Sequence, residues 1–408
     1  MSVDASDCGS CREEWRVWLC DLVTGRIHRT IDFVTASFEP IAGKPGRGSI
    51  VFHREGVAMR DMYPHQTMIV FERLVNTRRP IPSSVEGSVP DAVADFVGIV
   101  ETLSMGLDGL VTLGIAEIDR YFDYRLIRHN LNLSGQHQNN ILANLFRYGT
   151  NYSFADPDPN SINLRTFSYD SAITRDRTYL ASERKNLGKV ISQLTNVING
   201  PSYYVTGFRL GEIWVPSIIT YDDDTSQVVD TSVAVFDLGD MSDVAMELDG
   251  NGQALLVDAL GAERDTDDTP LIRTAFGSLL NFPQYHAKIS FPDVTIASTL
   301  DEHASGHLNT NKDLSPRLAF PVPNILEHPD SRVILPGVTR CTVRIPGRYM
   351  SVLGYFDDDE PFIVTRVGYS VGPEQRTSAV VEVASTFVAP KVVSAEEVPQ
   401  PLQECEDC

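Results

Sequence analysis

Short apolar stretches separated by turn residues dominate the first part of the chain. The first of them, residues 16–23, ends at a Thr24-Gly25 turn, and the last follows an Asp108-Gly109 turn. Stretches of this length, rich in Val, Ile and aromatic residues and bounded by turn residues, are typical of β-strands. Their close spacing favours a small antiparallel barrel or sandwich over residues 15–120. The predicted strands are 16–23, 49–52, 67–71, 96–100 and 110–115.

The pattern changes to a helical period in the middle of the chain. Residues 134–148 repeat apolar positions at helical spacing, and residues 182–199 do so more clearly. Gly149 and Gly200 follow the two segments, and glycine commonly ends helices in this way. Two strand-like stretches within 203–215 come next. Helices followed by a pair of strands predict a small α+β unit.

The last part of the chain returns to strand patterns. Residues 245–248 and 254–257 predict a hairpin around an Asp-Gly-Asn-Gly turn, and a third helix is predicted from Ser298. Three further strands follow, at 340–345, 362–367 and 378–383.

The predicted fold is mainly β with an α+β insert, in which two small antiparallel β-barrels are split by an α+β domain. We predict an N-terminal β-barrel over residues 1–128 and an insert with an acidic hairpin region over residues 129–310. Residues 311–408 are predicted to form the C-terminal β-barrel and a Cys-containing tail.

Charge narrows the class of protein. The 408 residues carry a formal net charge of −21, which argues against a protein that grips nucleic acid through Lys and Arg. Residues 221–268 hold fourteen acidic residues and one basic residue, Arg264. This segment predicts either solvated acidic loops or a surface that repels passing DNA. We also expect no membrane anchor and no secretory signal, because the chain has no long apolar run and its first residues are polar.

The strongest chemical signal is a Cys-x-x-Cys motif at each end of the chain. Cys8 and Cys11 form the first pair, and Cys405 and Cys408 form the second. Two such pairs can make a tetrahedral sulfur site, which predicts a structural zinc, with an iron–sulfur cluster as the alternative because thiolates suit both. Free thiols, disulfides or a site shared between subunits remain open. Cys20 and Cys341 lie in predicted strands and are expected in the core.

Other candidate chemistry favours structural interpretations. Residues 247–258 come close to the spacing of a calcium loop, but Glu at the first position and Asp at the twelfth favour a hairpin turn. His303 and His307 share a helix face without the His-Glu-x-x-His order of a metalloprotease, which favours a solvated face. The chain also lacks a Gly-x-Ser-x-Gly motif. We therefore predict that it is not an enzyme.

Several segments resemble the hub proteins of phage tails, and in particular the minor tail proteins of actinobacterial siphophages. Residues 15–25 resemble their opening strand and Thr-Gly turn, and residues 96–113 resemble the hairpin before their insert. Residues 177–179 are similar to the start of the insert, and residues 249–252 to a Gly-rich turn. Residues 335–367 resemble the final barrel, so the resemblance spans about residues 15–388.

The resemblance implies a virion structural protein at the tip of a siphophage tail, assembled in the host cytoplasm. It implies a homotrimer whose two barrels per subunit make a pseudo-sixfold ring, able to dock on the tail tube or distal tail protein. The ring would contact the tape measure protein and hold other tail-tip proteins and fibres. Phage DNA would pass through its lumen without specific binding. It also adds weight to the iron–sulfur alternative, because some tail-tip relatives carry such a cluster.

Two other functions remain as alternatives. A receptor- or carbohydrate-binding module of the tail tip would present aromatic side chains in a groove, and the candidates are Tyr203, Tyr204 and Trp214, for which a place in the core is the favoured interpretation. A cell-wall hydrolase is the less favoured alternative, because no pair of carboxylates stands out among the many Asp and Glu residues.

Overall fold

A computed structural model of the chain describes most residues between Trp15 and Ser385. The described residues are 15–55, 57–58, 61–74, 90–150, 161–197, 200–222, 234–237, 239–248, 254–263, 269–277, 285–291, 294–311, 316–323, 325–327, 334, 336, 340–344, 362–372 and 377–385.

Strands make up most of the regular structure in this part of the chain. They are β1 (Trp15–Asp21), β2 (Ile27–Ile31), β3 (Phe33–Glu39), β4 (Arg47–His53), β5 (Thr67–Arg73), β6 (Ala92–Met105), β7 (Leu110–Glu117), β8 (Leu131–Asn132), β9 (Gln136–His137), β10 (Arg165–Ser168), β11 (Thr174–Arg175), β12 (Thr178–Tyr179), β13 (Pro201–Leu210), β14 (Ile213–Asp222), β15 (Ala234–Asp237), β16 (Ala245–Leu248), β17 (Leu256–Glu263), β18 (Pro270–Phe276), β19 (His286–Ser290), β20 (Pro316–Pro323), β21 (Arg340–Arg344), β22 (Phe362–Val371) and β23 (Thr377–Ser385). The helices are α1 (Gln138–Thr150), α2 (Leu187–Thr195) and α3 (Ala297–Asn311), and 3-10 turns cover Ile118–Tyr124, Ala181–Glu183 and Ile325–Glu327. The mainly β class with an α+β insert is confirmed.

The first and last β regions belong to one sheet. Among the described residues, sixteen strands join this sheet, and β3 pairs antiparallel with β22. Ala36 lies opposite Val371, and Phe38 lies opposite Tyr369. The described pairings therefore run through both regions and do not close either of them into a separate barrel.

The central strands β1, β5 and β6 are buried on both faces. On β1, Val17 and Leu19 point into a core shared with the C-terminal strands, while Cys20 points into a second core shared with the helices. Strand β5 is buried at all seven positions. A strand covered on both faces shows a nearly continuous apolar run instead of alternation. This is why Met68-Ile69-Val70-Phe71 contains no polar residue.

Helices α1 and α2 cover the second of these cores. They contribute the buried side chains Ile141, Leu145, Leu187 and Ile191. Both helices begin later than the sequence predicts. Residues 134–137 instead form a turn and the short strand β9, and Arg184 has a left-handed backbone (φ 47°) that separates the 3-10 turn from α2. No helix in the described part of the chain is long and apolar enough to cross a membrane.

Contacts divide the chain into two compact units. The larger contains the β regions and α1 and α2, and the smaller contains a three-stranded sheet, ordered β18-β17-β19, with α3 packed on it. The boundaries predicted after residues 128 and 310 follow the order of elements along the chain, whereas these units follow contacts, so the boundaries stay predictions.

The predicted hairpin of residues 245–257 is wrong. Strand β16 lies beside β20 in the large sheet, whereas β17 pairs with β18 and β19 in the small one. The sequence pattern identified both strands, but each pairs with a partner more distant in sequence. The Asp-Gly-Asn-Gly turn and most of the calcium-like spacing lie outside the described residues.

Helix α3 is more deeply packed than a solvated face. His303 is 6% exposed, and its ring stacks on Phe291 with centroids 3.9 Å apart and planes 19° apart. His307 is half-buried, and burial lowers its pKa. The interpretation of this face as solvated is therefore wrong for His303, because α3 turns the face toward the small sheet.

Candidate assembly surfaces and the seam behind them

The pairing of β3 with β22 forms a seam between segments far apart in sequence. Phe38 of β3 stacks on Tyr369 of β22 with ring centroids 4.9 Å apart. Phe38 also lies 4.6 Å from Phe71 and 5.0 Å from Trp15, measured between centroids. Aromatic pairs in these arrangements contribute beyond the area they bury. The seam is therefore held by a packed aromatic cluster as well as by backbone hydrogen bonds.

A buried ion pair lies directly behind this cluster. The Arg73 guanidinium donates to Asp95 Oδ1 at 3.1 Å and to the Tyr369 hydroxyl at 3.3 Å. Both charged side chains are only 4% exposed. Burial disfavours the charge on Arg73, but Asp95 and Tyr369 outweigh it and raise the pKa of the guanidinium. The network joins β5, β6 and β22.

Trp15 extends the network to the last strand. Its indole Nε1 donates to Thr377 Oγ1 of β23 at 2.8 Å, and Arg73 lies over its ring at 5.2 Å from the centroid. A buried polar group costs free energy unless it is hydrogen-bonded, so each partner here is needed by the others. Strand β1, the first described, is thereby fixed to β23, the last described.

The outer side of the seam carries a groove lined by small residues such as Ser37 and Ser49 and by charged residues such as Glu39 and Arg47. A groove of about 380 Å³ runs over β4, β3 and β22. Arg366 crosses it and forms ion pairs with Glu39 and Glu382. One row of paired residues crosses six strands at this level: Thr102, Gly114, Ser49, Ser37, Ser370 and Ser378.

The small sheet has one apolar face covered and the other open. Leu271 and Ala259 point toward α3 and pack on Leu300. Because side chains alternate along a strand, Ile272 and Phe276 point to the opposite face, where they are 51% and 63% exposed. Leu260 lies opposite Ile272 in the sheet, and Leu256 lies opposite Phe276. Thr274 lies between Ile272 and Phe276 and donates to Asp258 Oδ1 at 2.7 Å, so this face carries two exposed apolar side chains on either side of a polar pair.

A second exposed apolar group lies at the tip of the β6–β7 hairpin. Leu107 occupies the turn itself and is fully exposed, and Met105 beside it is 47% exposed. The turn is well formed, since Gly106 N donates to Leu110 O at 2.9 Å and Leu110 N donates to Asp108 Oδ1 at 3.1 Å. Turn positions usually carry polar residues or glycine, so a fully exposed leucine here is unusual.

The cysteines predicted to bind metal, Cys8, Cys11, Cys405 and Cys408, lie outside the described residues. Within the described ranges, no group of three or more His, Cys, Asp or Glu side chains is placed to hold a metal ion.

The structure confirms the core positions predicted for two other cysteines and three aromatic residues. Cys20 and Cys341 are completely buried. Tyr203 and Tyr204 are 7% exposed, and Trp214 is fully buried. The three aromatic side chains therefore do not line a ligand groove. The seam residues were not predicted, although Arg73 had one signal: it is the one cation in β5, two residues beyond the apolar run that ends at Phe71.

Comparison of the sequence alone identifies no relative. No family model matches it, and no curated protein matches it. Solved structures do match. The tail protein of Neisseria meningitidis MC58 aligns with a TM-score of 0.57 at 11% identity, over 92% of this chain and 98% of that one. The 43 kDa tail protein of prophage MuSo2 from Shewanella oneidensis aligns with a TM-score of 0.54 at 10% identity, over 90% and 98% of the two chains. This chain has the tail-protein fold.

A third solved structure shares this fold. A chain of the lidded Francisella PdpA–VgrG complex aligns with a TM-score of 0.50 at 9% identity, over 93% of this chain and 53% of that one. The resemblance to phage tail hub proteins, predicted from strand and turn patterns, is thus confirmed as a likeness of fold. At these identities the tail-protein fold is what the comparisons establish.

Proposed function

We propose that the chain is a structural hub protein at the tip of a siphophage tail, where it closes the tail tube and links it to the tip and fibres. The observation that supports this best is coverage: the fold matches two tail proteins over 98% of their own length. The proposed role is mechanical and not enzymatic. The ring stays closed in the free particle and opens to release DNA.

The seam fits a protein that carries load. Its hydrogen bonds tie β1 to β23 and β5 to β22, and its ion pair ties β5 to β6, so pulling on either β region strains the same buried network. The hydrogen bonds and the ion pair of such a buried network strengthen one another, so breaking one of them disturbs the others. This supports a role in which the subunit keeps its shape while its neighbours move.

The proposed partners are two further copies of the chain in a homotrimer, the distal tail or tail tube protein, the tape measure protein and other tail-tip proteins. We assign the open face of the small sheet, where Ile272 and Phe276 of the edge strand β18 are exposed, to contact with another tail protein. Apolar surface is the common core of stable interfaces. The net charge of −21 favours passage of DNA through the ring without binding.

The proposal predicts a trimer in solution and a place at the tail tip. Light scattering on the purified chain should give a mass three times 45.2 kDa. Gold label on a tagged copy, viewed in phage particles, should lie at the end of the tail away from the capsid. Changing Ile272 and Phe276 together to serine should lower incorporation into particles and leave the melting temperature unchanged. A monomeric mass with label along the whole tail would contradict the hub.

The four terminal cysteines remain a proposal that metal analysis can test. We propose that Cys8, Cys11, Cys405 and Cys408 bind one structural zinc ion, with an iron–sulfur cluster as the alternative. Burial raises the pKa of the Cys341 thiol to about 12 and that of the Cys20 thiol further, so neither should react in the native protein. A thiol reagent therefore reports on the terminal four alone.

The expected result is about one zinc per chain and four thiols that react only after a chelator is added. Serine at both Cys405 and Cys408 should abolish the bound zinc. A brown sample containing iron and sulfide would show that the four cysteines bind an iron–sulfur cluster instead of zinc. Metal-free protein with four thiols reactive from the start would remove the site.

A further inference from the structure

Three buried carboxyl groups from three elements surround one small cavity. Asp95 comes from β6, Glu117 ends β7, and Asp119 lies in the 3-10 turn Ile118–Tyr124; each is 4–5% exposed. The cavity holds about 20 Å³, which is room for one water molecule. Three acidic side chains buried so close together are rare without a function, because each charge costs free energy to bury.

Asp119 is the member of this group with an unsatisfied oxygen. Asp95 pairs with Arg73, and Glu117 Oε2 accepts the backbone N–H of Gly46 at 2.9 Å. Asp119 Oδ2 accepts the Tyr203 hydroxyl at 2.8 Å, but among the described residues its Oδ1 has no hydrogen-bond partner. The Asp119 carboxyl can therefore carry a proton on Oδ1 while Oδ2 still accepts from Tyr203.

The groups facing Asp119 offset its charge only in part. Burial raises its pKa most, the Tyr203 hydroxyl and the backbone N–H groups of Asp119 and Arg120 lower it, and the nearby Asp123 raises it, to about 7 in total. Glu117, the last residue of β7, lines the same cavity. The cation of the same turn, Arg120, pairs with Asp123 and with Glu101 of β6.

The Asp119–Tyr203 hydrogen bond also lies where a strand, a helix and the 3-10 turn pack together. The Tyr203 ring packs on Phe146 of α1 at 5.1 Å, and Phe146 packs on Phe122 of the 3-10 turn at 4.9 Å. Gly188 of α2 packs against Asp123 in the turn, so α2 places no charged side chain at this contact. One hydrogen bond therefore sits where β13, α1 and the turn meet.

We propose that Asp119 makes this contact proton-dependent: β13 and α1 pack most stably against the 3-10 turn while the Asp119 carboxyl is protonated. Ionisation places a negative charge in a buried cavity that Glu117 also lines, and the hydrogen bond from Tyr203 offsets only part of that cost. The free Asp has an ordinary pKa near ~3.9, so between about pH 4 and 7 the folded chain keeps a proton that the unfolded chain releases. The stability that this group contributes is complete below about pH 4 and falls as the pH rises through about 7.

The test compares melting temperature against pH for the full chain and for Asp119→Asn. The amide cannot ionise, and its oxygen still accepts from Tyr203. From pH 5.5 to 8.5 the melting temperature of the wild type should fall relative to the variant by roughly 2–4 °C. Asp108→Asn, at an exposed turn, is the matched control and should follow the wild type.

Hydrogen exchange provides the local measurement. After correction for intrinsic rates, amides in 118–124 and 203–206 should exchange faster at pH 8 than at pH 6 in the wild type and equally at both in Asp119→Asn. Parallel melting curves for the wild type and Asp119→Asn would overturn the proposal. If Asp119→Asn fails to fold, Tyr203→Phe provides the test. This change removes a hydrogen bond that lowers the pKa of Asp119, so the fall in melting temperature should move to higher pH. A curve that does not move would also overturn the proposal.

Discussion

Replacing Arg73 with methionine is expected to lower the free energy of unfolding by about 3–5 kcal/mol. The change leaves the Asp95 carboxylate buried and without its cation, and it removes a donor to the Tyr369 hydroxyl. Most of the effect comes from the unpaired Asp95 carboxylate and less from the lost contact. The Asp95 side chain is 4% exposed, so water cannot solvate its charge.

Urea denaturation followed by tryptophan fluorescence measures this change, since Trp15 lies against the guanidinium. Arg47→Met is the matched control: its side chain is 81% exposed and 3.8 Å from Glu39, so the loss should stay within about 0.5 kcal/mol. Adding Asp95→Leu to Arg73→Met should recover stability, because no unpaired charge is left. Equal effects at Arg73 and Arg47 would show that the ion pair does not hold the seam.

Phe38→Ala is expected to cost about 3–5 kcal/mol. The ring is 1% exposed and contacts the rings of Phe71 and Tyr369, so its removal leaves a cavity where β3 meets β22. The surrounding strands are fixed by pairing on both sides and cannot collapse into the space.

The same substitution at Phe276 is the control for Phe38. That ring is 63% exposed, so Phe276→Ala should leave the free energy of unfolding within about 0.5 kcal/mol. Thermal and urea unfolding of both variants give the comparison. A small loss at Phe38 would mean that the seam is loosely packed.

Strand positions could be predicted from the sequence much better than strand partners. The residues of β1, β5, β7, β22 and β23 were identified because apolar stretches bounded by turns are a local signal. The pairing of β3 with β22 has no local signal, since its strength comes from packing between segments more than 300 residues apart. The error at β16 and β17 has the same origin: a short Gly-rich connection predicts a hairpin, and the better packing lay elsewhere.

The candidate sites show a similar division. The Cys-x-x-Cys pairs are recognisable because spacing alone defines their chemistry, and they stay predictions. The Arg73 network and the Asp119 cavity could not be predicted, because their members come from strands that only the fold brings together. Ile272 and Phe276 resemble any alternating strand until the structure shows which face α3 covers.

The hydrogen bond between Trp15 and Thr377 cannot form until nearly all of the chain has been synthesised. Its two residues are 362 positions apart, so at ~5–20 residues per second the ribosome needs roughly 20–70 s to supply the second after the first. Through that interval, strand β3 has an unpaired edge and the apolar side of β1 has no cover from the C-terminal strands. Unpaired edges and uncovered apolar surface promote aggregation. Folding in the cell should therefore depend on chaperones that hold the nascent chain, and truncated products should be found mainly as insoluble protein.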